Sequence, residues 1–274
     1  MVDLLSPILI KAYISLILLG VMAIGGALAF MRGVAYLPAE ASHAALGGVS
    51  VAVLLSYITS IYVDPLIWAV IFSALSSLLV AYAGRHGGPE RLNAALAGAL
   101  AVSLAIYAAV RAVVPAELRA IMDTYLISDI LLISTQDLIE LAIIVIIGLF
   151  FLNLFYNEFI YVCFDPEGAE ALGLNIKLYD YLLFSLIGLA GGIAAKTIGS
   201  LLVFALILAP AATAREIAGS IKSYLVLTFI LTTLLGYIGL FISVLINWPP
   251  SGSIALITSF IYIMVITIKT LRKE

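Results

Sequence analysis

Apolar runs of about 20 residues recur along the whole chain, and no polar block between them is long enough to build a soluble domain. As a helix, such a run crosses roughly 30 Å of hydrocarbon, where the backbone has to satisfy its own hydrogen bonds. The chain therefore reads as an all-α, polytopic transmembrane helical bundle. Its composition agrees: 64% of the 274 residues are hydrophobic and 11% charged, with a mean hydropathy of +1.23. The run from Ile8 to Phe30 is too long for a cleaved signal and lacks its small-residue site, so it is expected to stay as a span. A net charge of −3 with scattered Lys and Arg leaves no basic face for nucleic acid. The single cysteine, Cys163, excludes an internal disulfide and a thiolate metal cage and reads as a small buried hydrophobe.

Reading the runs against their breakers predicts spans near 8–30, 39–60, 65–83, 92–113, 137–156, 178–195, 198–214, 224–246 and 253–270. The seventh is short and ends in Ala209-Pro210-Ala211-Ala212-Thr213-Ala214, which suits a broken or partial crossing and leaves eight or nine full spans. With nine, Arg32, Arg85, Arg91, Lys177, Arg215, Lys222, Lys269, Arg272 and Lys273 share one side, which should be cytoplasmic. That places the N-terminus outside and the C-terminus inside, with Lys11, Arg111, Arg119 and Lys196 as exceptions. Gly188, Gly191 and Gly192 in the sixth span, and similar glycines in the first and eighth, are read as close helix packing. The stretch Met122 to Ser134 is about half a span long. It is expected as a short re-entrant or interfacial helix whose Asp123 and Asp129 line a vestibule or are simply solvated.

Polar groups at the head of the second run need a reason. Glu40 and His43 lie three residues apart, on one face of a helix with Cβ atoms roughly 5 to 6 Å apart, and Gly47 continues the stripe. An acid at mid-membrane costs about 2.5 kcal/mol or more, so such groups face a cavity, a partner or an ion path. A hydrogen-bonded structural pair is the competing reading. Between the fifth and sixth spans, Asp165 is a good N-cap, Pro166 suits the first helical position, Glu167 favours the positive end, and Gly173 can stop the helix. Phe164, Gly168, Ala169, Leu172 and Leu174 complete this short helix outside the membrane, with Ala169, Leu172 and Leu174 presenting apolar surface to a cytoplasmic partner. A plain connector would need neither this length nor both caps.

Four stretches in order carry a resemblance. These are Ser42-His43-Ala44 after Arg32-Gly33-Val34-Ala35-Tyr36-Leu37; Phe164-Asp165-Pro166-Glu167 with Ala171-Leu172-Gly173-Leu174; Gly199-Ser200-Leu201-Leu202-Val203 through Ala214; and Pro250-Ser251-Gly252. Together they resemble the membrane permease subunit of metal-type ABC importers, the zinc, manganese and iron(II) uptake family. The resemblance implies a type II importer fold and a single permease domain over 1–274, with a cytoplasmic coupling segment at about 159–176. It also implies an assembly of two copies of this chain, two cytoplasmic ATP-binding subunits and an extracytoplasmic metal-binding protein, embedded in membrane lipid. No cofactor is implied beyond the transported divalent metal and the ATP used by the partner, and the chain has no Gly-x-x-x-x-Gly-Lys-Ser/Thr loop of its own.

By this resemblance the metal-ligating candidates are His43 and Glu40, and the ATPase-coupling candidates are Phe164, Asp165, Pro166, Glu167, Gly168, Ala169, Leu172 and Gly173. The family's Asp four residues before the His is replaced by Ala39, with Glu40 one position along, and one residue turns a helical side chain by about 100°. Lys196 is expected at the exposed interface, because an ammonium in a cation path would repel the cargo. The alternatives are a siderophore or cobalamin-type permease, with a wide path free of ligands, and a polytopic membrane enzyme. The enzyme would need clustered acids or histidines, and the other histidine, His86, sits in a Gly84-Arg85-His86-Gly87-Gly88 loop.

Overall fold

The computed structural model describes residues 6–84 and 88–272. Arg85, His86 and Lys273 lie outside the described residues. Among those described, nine helices are long and apolar enough to cross a membrane. In chain order they are α1 (Pro7–Met31), α2 (Leu37–Thr59), α3 (Pro65–Ala83), α4 (Gly88–Val113), α6 (Thr135–Leu154), α9 (Ile176–Ile198), α10 (Ser200–Ile217), α11 (Ile221–Ile246) and α12 (Pro250–Leu271). Three shorter helices punctuate them: α5 (Ala116–Leu126), α7 (Tyr156–Phe164) and α8 (Pro166–Ala171).

The starts follow capping chemistry. Ser6, Asp64, Ser134, Asn175 and Ser220 each accept a backbone N–H of the first turn, and Ser134 with Asp137 makes a reciprocal capping box.

Helix α2 runs through the middle, packed against α3, α4, α5, α9 and α10. Glycines make this possible. A Cβ on Gly188 would sit 2.8 Å from the Ala74 Cα, one on Gly191 2.8 Å from the Ala41 Cβ, and one on Gly192 2.8 Å from the Val70 Cα. Backbones thus approach closely where lipid removes the hydrophobic drive between helices. Ser73 stitches the same three helices, its hydroxyl donating to Ala41 O at 2.5 Å and Gly188 O at 2.7 Å.

Two expectations are corrected by the fold. The seventh span is not broken: α10 is continuous through Pro210 and about 27 Å long, enough for a crossing. Proline removes one donor, but the neighbouring turns hold the helix and Pro210 is buried. A single residue, Gly199, joins α9 to α10; its φ of +80° and the 2.6 Å between a would-be Cβ and Ser128 N admit no side chain. The half-length helix lies at Ala116–Leu126, earlier than the expected 122–134, whose second half is a 3-10 turn at Ile130–Leu132 started by Asp129. Asp123 is not free in solvent either. It accepts from Arg111 at 2.9 and 3.0 Å and from the Tyr107 hydroxyl at 2.5 Å, and these donors, Arg111 first, hold its carboxyl below the usual range.

Candidate metal path and coupling surface

Between Leu37 and Ser50 every residue of α2 is buried except His43. The central helix reaches the surface of this chain there, through an imidazole. His43 Nδ1 lies 2.7 Å from Ala39 O, a carbonyl that can only accept. Nδ1 therefore carries the hydrogen, and in the neutral ring this tautomer leaves the Nε2 lone pair as the one that can ligate a metal. Gly47, one turn on, packs against Ser103 of α4, so this stripe of α2 runs beside α4.

Glu40 behaves differently. It is 2% exposed, Ser76 of α3 donates to its Oε1, and its Oε2 has no hydrogen-bond partner among the described residues. The acid stands in the first turn of α2, where the helix dipole favours it. The helix does put His43 and Glu40 on neighbouring faces, but the imidazole opens outward and the carboxyl is held at the α2–α3 contact. No group of three or more metal-ligating side chains forms among the described residues of one chain.

At the other end of the sequence's polar features, α8 has the predicted caps. Asp165 accepts from Gly168 N at 2.9 Å, Pro166 occupies the first turn, and Gly173 takes a φ of +81° just past the helix. The expected apolar surface needs one correction: Ala169 is buried, while Leu172 is 69% and Phe164 71% exposed. Gly168 is also structural, since a Cβ there would lie 2.2 Å from Asp165 Oδ2 and displace the cap. The short helix α7 before it was not foreseen. It is anchored by a chain of rings, Phe151 to Phe155 to Phe159 to Tyr179, that links α6, α7 and α9. Cys163 on α7 is buried, which pushes its thiol up to about 12 and leaves it unreactive.

Ion pairs fasten the two ends of the bundle. Arg32, just past α1, binds Asp180 of α9 through two hydrogen bonds of 2.8 and 2.7 Å. At the opposite end Lys196 sits between Asp137 at 2.9 Å and Glu140 at 2.8 Å, its side chain 25% exposed. This corrects the expectation of an exposed Lys196: two carboxyl groups of α6 neutralise it and clamp α6 to α9.

With this geometry in place, a family model described as the ABC 3 transport family matches residues 6–269. The chain belongs to the ABC 3 transport family. The manganese import system permease protein ScaB of Streptococcus gordonii is 28% identical over 255 residues, spanning 93% of this chain and 88% of its own length. The high-affinity zinc uptake system membrane protein ZnuB of Haemophilus influenzae is 28% identical over 239 residues, spanning 87% of this chain and 88% of its own. Among solved structures, PsaBC from Streptococcus pneumoniae in complex with Fab superposes with a TM-score of 0.75 at 25% identity, covering 94% of this chain and 91% of that one.

This ABC 3 chain is thus a multi-pass membrane subunit of the ABC transport type. What sequence reasoning missed at its centre is the partner of Glu40. A signal was present: Ser73 and Ser76 stand at helical spacing on α3 and bond to α2, while Ser77, one turn past Ser73, lies against Gly188 of α9. The pairings of Arg32 and Lys196 had no local signal, because their partners are distant in sequence.

Proposed function

We propose that this chain is the permease subunit of an ATP-driven importer that moves a divalent transition metal ion, manganese, zinc or iron(II), across the cytoplasmic membrane. The observation that carries this reading is His43, the one residue between Leu37 and Ser50 of the central helix that is not buried, with its Nε2 available to a metal in the neutral ring. Two copies of the chain would bring two such imidazoles to a shared path, completing a site that one chain leaves short of ligands. Glu40, one turn behind, becomes the oxygen donor if its carboxyl leaves Ser76 at the α2–α3 contact and turns to the path; its Oε2 has no partner among the described residues. Nitrogen with oxygen suits Mn²⁺, Zn²⁺ or Fe²⁺ and not Mg²⁺, Ca²⁺ or Cu⁺. A sparse site also suits transport, where an ion must bind well enough to shed water and weakly enough to leave.

The whole chain works as one permease domain, with its N-terminus outside and its C-terminus in the cytoplasm. An external metal-binding protein delivers the ion. Two ATP-hydrolysing subunits seat on α8 through Phe164 and Leu172, with Asp165, Pro166, Glu167, Gly168 and Gly173 shaping the helix and Ala169 anchoring it.

The test is uptake of radiolabelled Mn²⁺, Zn²⁺ and Fe²⁺ into vesicles carrying the complete importer, native against His43→Ala. Loss of uptake for one metal, with the complex assembled and hydrolysing ATP, is the expected result. Unchanged uptake in the variant would make His43 structural. No uptake of any metal by the native complex would point to an organic chelate as cargo.

A further inference from the structure

Beside α8 the same end of the bundle carries a second open surface. A cavity of about 400 Å³ lies between the last residue of α7 and the turn from α10 to α11, with Phe164, Arg215, Ala218, Gly219, Ser220 and Tyr224 among its lining. Phe164 immediately precedes the N-cap of α8, so the cavity and the coupling helix share a wall. Arg215 belongs to the last turn of α10 and is exposed, its guanidinium held 5.0 Å over the ring of Phe30. None of the ion pairs among the described residues uses Arg215, whereas its neighbour Glu216 is engaged by Lys269 at 3.5 Å. A planar, permanently charged fork is therefore presented at a cavity whose lining, among the described residues, includes no carboxylate.

We infer that this cavity is a second docking point for the ATP-hydrolysing partner, which places an acidic side chain against Arg215 and an apolar one against Phe164. The inference rests on the proposed seating of that partner on α8. A protein covering the exposed Phe164 and Leu172 also covers the mouth of the cavity, and the charge it must bring there is negative. The consequence is mechanical. Helix α8 leads into α9, while Arg215 ends α10, and both long helices pack on α2. Holding both ends lets the partner move α9 and α10 together beside the helix that bears His43.

The experiment uses the complete importer with a photocrosslinking residue placed at Gly219, where a Cβ has nothing within 4 Å, or at Leu172 as a control. Both positions should form adducts with the ATP-hydrolysing subunit. Arg215→Glu should remove the Gly219 adduct, retain the Leu172 adduct, and lower metal-stimulated ATP hydrolysis at least about tenfold, a loss near 1.4 kcal/mol. Arg215→Lys should restore part of the Gly219 adduct by keeping the charge. A Leu172 adduct without a Gly219 adduct, or a Gly219 adduct that survives Arg215→Glu or forms with phospholipid, overturns the inference and leaves the proposed function standing. Loss of both adducts in the native complex overturns both.

Discussion

Helices α2 and α8 begin alike and end in opposite environments. Each has a proline in its first turn and an acid close behind it, Pro38 with Glu40 and Pro166 with Glu167. Yet Glu40 is 2% exposed, while Glu167 faces water. The shared pattern is a local instruction to start a helix. It says nothing about what the acid meets, which for Glu40 is a serine on α3 and for Glu167 is open surface. Under the proposed function the contrast separates two jobs: α2 would offer a protected ligand, and α8 a surface to be pushed.

The sharpest way to break α2 is Gly48→Leu. A Cβ there already falls 2.2 Å from the backbone oxygen of Trp68, so the helices must part, at about 3 kcal/mol or more. Loss of folded protein in detergent, read by size-exclusion and thermal unfolding, is expected; a native melting temperature would mean that the α2–α3 packing is loose.

Next in size is a functional split. His43→Ala should lower metal uptake by roughly tenfold or more, about 1.4 kcal/mol, with ATP hydrolysis intact. Leu172→Glu, at an exposed site, should lower metal-stimulated hydrolysis while metal binding to the assembled complex persists. If both variants fail in the same assay, the division of labour between α2 and α8 is wrong.

A smaller effect is expected at the α8 cap. Asp165→Ala removes the acceptor for Gly168 N, worth about 1 kcal/mol, and a helix this short has little else to hold it. Faster hydrogen exchange over 165–172 and partial uncoupling should follow, with Asp165→Asn close to native.

Much of this comparison was legible beforehand, and the reason is locality. The caps of α8, the start of α2 and the apolar lengths of the nine spans depend on residues within a few positions of one another. The misreadings are of another kind. Ala169 and Leu172 look alike in sequence, but only the packing of α8 on α7 and α9 buries the first and exposes the second. Lys196 carried the look of an exposed interfacial residue because Asp137 and Glu140 stand far away in the chain.

The least effect is expected at the α4–α5 contact. Asp123 is held below the usual carboxylate range by Arg111 and then Tyr107. Its contribution is therefore complete above the unfolded value, about 4, and disappears as pH falls through the lowered folded value. The pair is half exposed, so Asp123→Asn should cost about 0–1 kcal/mol. Hydrogen exchange of α5 in the native chain and in Asp123→Asn should differ at pH 7 and converge at pH 2; a difference that persists in acid would deny the ion pair its role.

By itself the sequence determined that this is a helical membrane protein, where its apolar helices lie, that a short capped helix stands between the fifth and sixth of them, and that His43 and Glu40 are out of place in an apolar run. Only the tertiary structure decided that α2 is central, that His43 alone opens from its buried stretch, that Glu40 answers to Ser76, and that α10 crosses intact after a one-residue turn. The physical reason is that a membrane helix is apolar on every side. Hydrophobic length tells where it crosses, but the pattern that in water separates core from surface is flat here. Which side meets a neighbour, and which meets lipid or a second copy, is settled by glycines and small polar groups that act only once the helices have come together.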